Sequence, residues 1–222
     1  MTIPIPAPKA IIFDWDDTLV DTWRVVRGAF NTTLAAMGQP EWTEEEARRR
    51  IGPPARVIFT ELFGAEKWEA ADKIYFDAYV SGIADGLRAH DGIGDILQAA
   101  ADRGIYLAVV STKRGPLLRQ EAKHLGVDHY FKQLVGAGDA LRDKPDAEAV
   151  RKALEGSGIA PRPDVWFVGD SQTDMICAAN AGCLPILIET KLPSAEALAK
   201  NPPAYRFKTH KEFMDFLGTQ VR

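Results

Sequence analysis

The sequence predicts an α/β fold whose parallel sheet is interrupted, after its first strand, by a small all-helical unit. Three observations lead there. Ala10-Ile11-Ile12-Phe13 is a short apolar run with β-branched residues, the pattern of a strand buried on both faces. Residues 21–87 repeat apolar positions at helical spacing with no strand alternation. From His90 onward helical and strand segments alternate, as in βαβ units on a parallel sheet. The first strand has to join the later ones, so residues 1–20 and 88–222 form the α/β core and residues 21–87 an inserted helical unit. Linkers near Val20-Asp21 and across 86–91 act as hinges on which that unit opens and closes over the strand ends.

The elements follow in order. Asp21 or Thr22 caps a helix through Val25, Val26, Phe30 and Leu34, which stops at Met37-Gly38, and Asp21 reads as a cap rather than a ligand. Thr43 and Glu46 make a capping box for a second helix, with Arg48-Arg49-Arg50 in its last turn. Gly52-Pro53-Pro54 breaks that helix. A third covers 54–62, and a fourth covers 65–83 with Trp68, Ile74, Tyr75 and Tyr79 on its apolar side. The core then reads as helix 94–102, strand 105–110, helix 116–125, strand 133–135, helix 146–154 and strand 165–168. Helix 173–181, strands 184–188 and 205–207, and a short amphipathic helix through Phe213, Met214, Phe216 and Leu217 complete it.

Composition narrows the function. The chain has 222 residues, 46% apolar and 26% charged, ordinary values for a globular protein. A net charge of −4 gives no sign of binding to nucleic acid or anionic lipid, and an electropositive pocket for phosphate has to be local. No apolar run is long enough to span a bilayer, and residues 1–8 lack the basic region and apolar core of a signal peptide. Cys177 and Cys183 make neither a disulfide framework nor a zinc pattern; they read as reduced core thiols, consistent with a cytoplasmic location. His90, His124, His129 and His210 are scattered with no metal-ligand spacing; His90, by the hinge, reads as a surface residue, with contact to the cleft as the alternative.

The polar residues that end the predicted strands carry the chemistry. The first strand runs into Asp14, with Asp16 and Asp17 just behind it. Carboxylates this close repel one another and resist burial, so they need a cation, and Mg²⁺ suits all-oxygen ligands. In open α/β sheets ligands bind at the carboxyl ends of the strands. Strand 105–110 ends at Ser111-Thr112-Lys113, where a hydroxyl and backbone N–H groups can hold phosphate oxygens. Lys144 stands in Asp143-Lys144-Pro145 before a helix. Strand 165–168 leads into Gly169-Asp170-Ser171-Gln172-Thr173-Asp174, which puts Asp170 at a strand end and Asp174 near a helix start.

These four motifs, in this order from Ile11 to about Ile188, resemble those of phosphatases in the haloacid dehalogenase-like superfamily with an inserted helical cap, most of all the phosphoglycolate phosphatase type. The resemblance implies a three-layer sandwich around a parallel, Rossmann-like sheet. It implies that Asp14 is the nucleophile and forms an aspartyl-phosphate. Asp16 would protonate the leaving oxygen and then activate water. Ser111 would bond a phosphoryl oxygen, with Trp15 and Thr112 in the same cradle, and Lys144 would offset the negative charge. Mg²⁺ would be held by Asp14, the Asp16 backbone carbonyl, Asp170 and Asp174. Arg48, Arg49, Arg50 and Arg56 read first, as a charge run, as a solvated face; the alternative is that Gly52, which resembles a cap loop that meets substrate, brings Arg50 or Arg56 to an anionic substrate. Asp17 stands where many relatives carry Gly, and Thr112 where many carry Asn. The implied substrate is a small phosphomonoester such as phosphoglycolate or a sugar phosphate. A phosphosugar mutase of the same family and a non-catalytic phosphate-binding domain are the alternatives, and Asp16 argues against a dehalogenase.

Overall fold

A computed structural model describes residues 7–51, 55–190 and 194–220. The predicted break at Gly52-Pro53-Pro54 and residues 1–6 lie outside the described residues. The chain forms two compact units, one running from Thr22 to Arg88, the other built from the segments on either side of it.

Eight strands occur among the described residues: β1 (Ala10–Phe13), the two-residue β2 (Val20–Asp21) and β3 (Arg88–Ala89), β4 (Tyr106–Arg114), β5 (Gln133–Ala137), β6 (Val165–Gly169), β7 (Leu184–Ile188) and β8 (Tyr205–Phe207). Four helices, α1 (Trp23–Ala36), α2 (Glu44–Arg50), α3 (Ala55–Phe63) and α4 (Trp68–Gly86), occupy the inserted segment. Six follow it: α5 (Ile93–Asp102), α6 (Gly115–His124), α7 (Ala147–Ala153), α8 (Gln172–Ala181), α9 (Ala195–Lys200) and α10 (His210–Gln220).

Six strands join in one sheet in the order β5-β4-β1-β6-β7-β8. Every pairing is parallel, and Ala10 lies opposite both Tyr106 and Val165. All four residues of β1 and all five of β6 are buried, which is why they read as unbroken apolar runs rather than alternating ones. From β1 the chain moves to β4 and β5 on one side, then returns to β6, β7 and β8 on the other. Such a reversal opens a crevice at the carboxyl ends of the central strands. One core cluster gathers Ile12, Val110, Val135, Val150 and Phe167 with both cysteines. Burial pushes the Cys177 and Cys183 thiols up to about 12, so both are inert packing groups.

Several elements depart from the sequence reading, among them β2 and β3, which lie where the sequence predicts linkers. Strand β4 continues to Arg114, past the predicted end at 110. Its register against β5 shifts between Val110 and Arg114, so pairing resumes where the apolar signal has already gone. Of the two residues offered as the start of the first helix, Thr22 takes the N-cap position without a side-chain capping bond, and Asp21 is an exposed residue of β2. The six-residue α9 has too little periodicity to stand out in the sequence.

The helical unit has its own core of Phe30, Leu34, Trp42, Ala47, Ile58, Phe59 and Ala71. Phe30 lies 5.7 Å from the Trp42 ring, 5.3 Å from Phe59 and 4.9 Å from Tyr75. Asn31 fixes the segment before α2 by accepting the Trp42 N–H at 3.0 Å and donating to its carbonyl at 3.1 Å. Helices α1 and α4 pack closely because Gly86 carries no side chain; a Cβ there would come within 2.8 Å of Val25. The capping box is present, with Thr43 N–H donating to Glu46 Oε2 at 3.0 Å and Glu46 N–H to Thr43 Oγ1 at 3.2 Å. Among the described residues no helix is long and apolar enough to cross a membrane. Thr43→Ala removes the cap of α2 at a cost of about 1 kcal/mol. Amide exchange in the first turn of α2 should then speed up roughly fivefold, leaving β1 and β6 unchanged; unaltered protection at Glu45 and Glu46 would refute the assignment.

Candidate active site

Asp14 is the first residue beyond β1, and its N–H donates to the Val168 carbonyl of the neighbouring β6 at 2.8 Å. The strand pairing therefore sets where its carboxylate goes. Lys144, from the loop before α7, donates to Asp14 Oδ1 at 2.5 Å and to the Val110 carbonyl of β4 at 3.2 Å. The same ammonium meets Asp174 Oδ1. Asp174 lies in the first turn of α8 and closes a capping box with Ser171: its Oδ2 accepts Ser171 Oγ–H at 2.5 Å and Ser171 N–H at 2.8 Å. It thus caps the helix with one oxygen and faces Lys144 with the other. Gly169 makes this possible, because a Cβ there would stand 2.3 Å from the Asp174 carboxyl carbon.

Asp14, Asp170 and Asp174 are all buried, and each brings a carboxylate oxygen to within 4.8 Å of the others. Thr18, fully buried, bridges two of them, with its Oγ1 3.3 Å from Asp170 Oδ1 and 3.5 Å from Asp14 Oδ2. Burial, followed by the charge of Asp174, pushes the Asp14 carboxyl up to about 7, although Lys144 pulls the other way. Burial also disfavours the Lys144 ammonium, but Asp14 and then Asp174 outweigh it and hold its pKa well above the ordinary lysine value. Three crowded carboxylates with a lysine between two of them form an oxygen-rich donor set that fits a hard divalent cation.

The turn after Asp14 is tightly built. Asp17 adopts φ +60°, a conformation that Gly takes freely and that Asp and Asn tolerate better than other residues. Its N–H donates to the Val20 carbonyl at 2.8 Å. His210 Nε2–H donates to the Thr18 carbonyl at 2.6 Å, and His90 stacks on the His210 ring at 4.8 Å. Both histidines are half-buried, which for His90 departs from the surface expectation, and burial holds His210 below the ordinary histidine value. Sequence reading missed Thr18, Gly169 and this pair, since threonine in a turn and lone histidines carry no spacing signal.

The remaining sequence candidates fall in different surroundings. Ser111, on β4, is buried, and its Oγ accepts the Lys113 N–H at 3.1 Å. Thr112 beside it is exposed. Trp15 is fully buried and donates its indole N–H to Glu121 at 2.7 Å; Asp16 pairs with Lys113 at 2.7 Å. In the helical unit Arg50 is exposed and lies over Trp42 at 5.1 Å, and exposed Arg56 lies over Trp68 at 4.6 Å. Gly52 lies outside the described residues.

Residues 11–188 match the haloacid dehalogenase-like hydrolase family. The chain belongs to that family. A protein of Caldanaerobacter subterraneus subsp. tengcongensis provisionally named pyrophosphatase PpaX is 30% identical over 196 residues, 88% of each chain. Phosphoglycolate phosphatase 1 of Pseudomonas aeruginosa is 29% identical over 184 residues, 79% of this chain and 67% of that one. The solved structure of a haloacid dehalogenase-like family hydrolase from Streptococcus pneumoniae, SP0104, superposes with a TM-score of 0.81 at 25% identity, covering 95% of this chain and 98% of that one. The chain is an enzyme of the phosphatase side of this family, whose members generally use a divalent metal. Its Rossmann-like α/β architecture is that of its structural neighbours.

Gly169→Ala should drive the Asp174 carboxyl away from Lys144. Misplacement on this scale costs roughly 100-fold in turnover, and the overpacking costs about 1–3 kcal/mol of stability. Steady-state kinetics beside a thermal melt test this; wild-type turnover would show that Asp174 need not approach so closely.

Proposed function

We propose that this chain is a Mg²⁺-dependent phosphatase that hydrolyses a small phosphomonoester through an aspartyl-phosphate on Asp14. The observation that carries the reading is the buried Lys144 ammonium set between Asp14 and Asp174, with Asp170 completing the acidic trio. A carboxylate attacks a phosphate dianion poorly because like charges repel. Asp14, Asp170 and Asp174, with the Asp16 backbone carbonyl, would hold the cation, whose chemistry is charge neutralisation and polarisation of the phosphoryl group.

The chain's own groups supply the rest. Lys144 stabilises charge on the Asp14 carboxylate and on the phosphoryl oxygens. Ser111 Oγ accepts the Lys113 N–H and keeps its own proton to donate to a phosphoryl oxygen. Asp16 gives a proton to the leaving alcohol as Asp14 takes up the phosphoryl group. It then takes a proton from the water that releases phosphate and regenerates Asp14. Thr112 and the Trp15 backbone are the nearby cradle positions. The helical unit, Thr22–Arg88, serves as the cap, with Gly52, Arg50 and Arg56 as its substrate-facing candidates. A cap that excludes water favours small metabolites over protein substrates. The two buried free thiols fit a cytoplasmic setting.

Phosphoglycolate and sugar phosphates are the first substrates to try, followed by inorganic pyrophosphate, which the 30% identical relative brings in. A phosphate-release screen in Mg²⁺ should find a small phosphomonoester substrate, and Asp14→Asn should abolish turnover while the melting curve stays cooperative. Isomer conversion without free phosphate would mean a mutase instead, and retained activity in Asp14→Asn would overturn the nucleophile assignment.

The raised Asp14 pKa predicts how Mg²⁺ and pH act together. Between its unfolded value near 3.8 and about 7 the folded protein holds a proton that the unfolded chain has lost, so this carboxyl lowers metal-free stability as pH rises through that window. Binding a cation at pH 5.5 has to displace that proton, which weakens affinity roughly 30-fold. The Mg²⁺-induced rise in Tm should therefore be larger at pH 8 than at pH 5.5, and chelation should stop turnover at both. An equal rise at the two pH values would contradict a cation on Asp14.

A further inference from the structure

Asp16 is gripped by a buried ion network that the phosphoryl-transfer chemistry does not itself require. Lys113 Nζ donates to Asp16 Oδ1 at 2.7 Å and to Glu121 Oε2 and Oε1 at 2.6 and 2.8 Å. Glu121 Oε2 also accepts the indole N–H of Trp15, the residue just before Asp16, at 2.7 Å. The Lys113 side chain is 7% exposed and that of Glu121 wholly buried, while that of Asp16 is 32% exposed. Lys113 comes from β4, Glu121 from α6, and Trp15 and Asp16 from the turn after β1. One carboxylate on α6 thus ties down the lysine that holds the Asp16 side chain and the residue that carries the Asp16 backbone.

Burying such charges is unfavourable unless each meets a partner, and an apolar set of similar volume would pack there at lower cost. A purely structural pair needs only Lys113 and Glu121. The third limb of the network reaches outward, to the acid that has to act twice at one place: first at the leaving oxygen, then at a water in the same position.

We propose that Lys113 and Glu121 are positioning residues for Asp16. Lys113 aims the carboxyl group, and Glu121 holds Lys113 and, through Trp15, the turn beneath it. This rests on the reading of Asp16 as the group that transfers the proton. It predicts that losing Lys113 harms the reaction in proportion to how much the leaving group needs that proton.

The experiment compares kcat/KM for an alkyl phosphate, whose alcohol leaves poorly, with p-nitrophenyl phosphate, whose phenolate leaves without help. The variants are Asp16→Asn, Lys113→Met, Lys113→Arg and the double variant Asp16→Asn with Lys113→Met. Positioned proton transfer is worth about 10²–10⁴-fold. Lys113→Met should therefore cut kcat/KM for the alkyl phosphate by about 100-fold, mostly through kcat, and for the nitrophenyl ester by less than about tenfold. Lys113→Arg should restore part of the loss. The double variant should be no slower than Asp16→Asn alone, because Lys113 acts through Asp16. Where Lys113→Met alone fails to fold, Lys113→Met with Glu121→Gln removes both buried charges, keeps an acceptor for Trp15, and is expected to show the same leaving-group dependence. Equal losses on both esters, a double variant much slower than Asp16→Asn, or wild-type rates in Lys113→Met would each overturn the proposal. If Asp16→Asn itself shows no leaving-group dependence, the assignment of Asp16 fails. If Asp16→Asn shows it and Lys113→Met does not, only the positioning role fails.

Discussion

A buried ammonium held between carboxylates from separate elements is the constraint around which the α/β unit is arranged. Lys144, Asp14 and Asp174 come from the loop before α7, the end of β1 and the first turn of α8. Each would be costly in an apolar interior alone, and together they are tolerable only while they touch. Contact requires β1 beside both β4 and β6, the Val110 carbonyl turned toward the ammonium, and a bare backbone at Gly169. The geometry that makes the site stable is the geometry that makes it reactive, because the carboxylates left over after Lys144 is matched are those that fit a cation.

The helical unit is held by different physics. Its core is largely aromatic, with Phe30 within 6 Å of the Trp42, Phe59 and Tyr75 rings. Three of its arginines lie over tryptophan faces: Arg48 over Trp23 at 4.6 Å, Arg50 over Trp42 and Arg56 over Trp68. Such stacking lets a guanidinium shelter apolar surface while keeping hydrogen-bonding edges in water. The basic cluster that looks in sequence like a solvated face is in part the rim of a hydrophobic core.

Much of the α/β unit was legible because parallel strands buried on both faces leave unbroken apolar runs. β1 and β6 stand out in the sequence for that reason, and the carboxylates at their ends, Asp14 and Asp170, mark where the chain meets the crevice. Thr43 and Glu46 announced their capping box by spacing alone. Features built by tertiary contact were not legible. β4 outlasts its apolar signal because β5 resumes pairing at Arg114. Of Asp21 and Thr22, the sequence did not say which takes the N-cap position of α1; it is Thr22. Thr18, His210 and Glu121 reach residues far away in sequence, Asp170, Thr18 and Trp15, and Gly169 matters through the close approach of Asp174, which no local pattern announces. Asp17 is intermediate: its departure from Gly drew attention, and the positive φ explains why a short polar side chain stands there.

The sheet order also governs the order in which the molecule can assemble. β1 belongs between β4 and β6, so during synthesis one of its edges stays unmet until Tyr106–Arg114 has been made and the other until Val165–Gly169 has followed. The intervening segment, with its own aromatic interior, needs nothing from the later strands for its internal contacts. A nascent chain of this kind carries an apolar ribbon awaiting its neighbours, with a helical lump already able to collapse behind it. Chaperone demand would fall on Ala10–Phe13 in that interval.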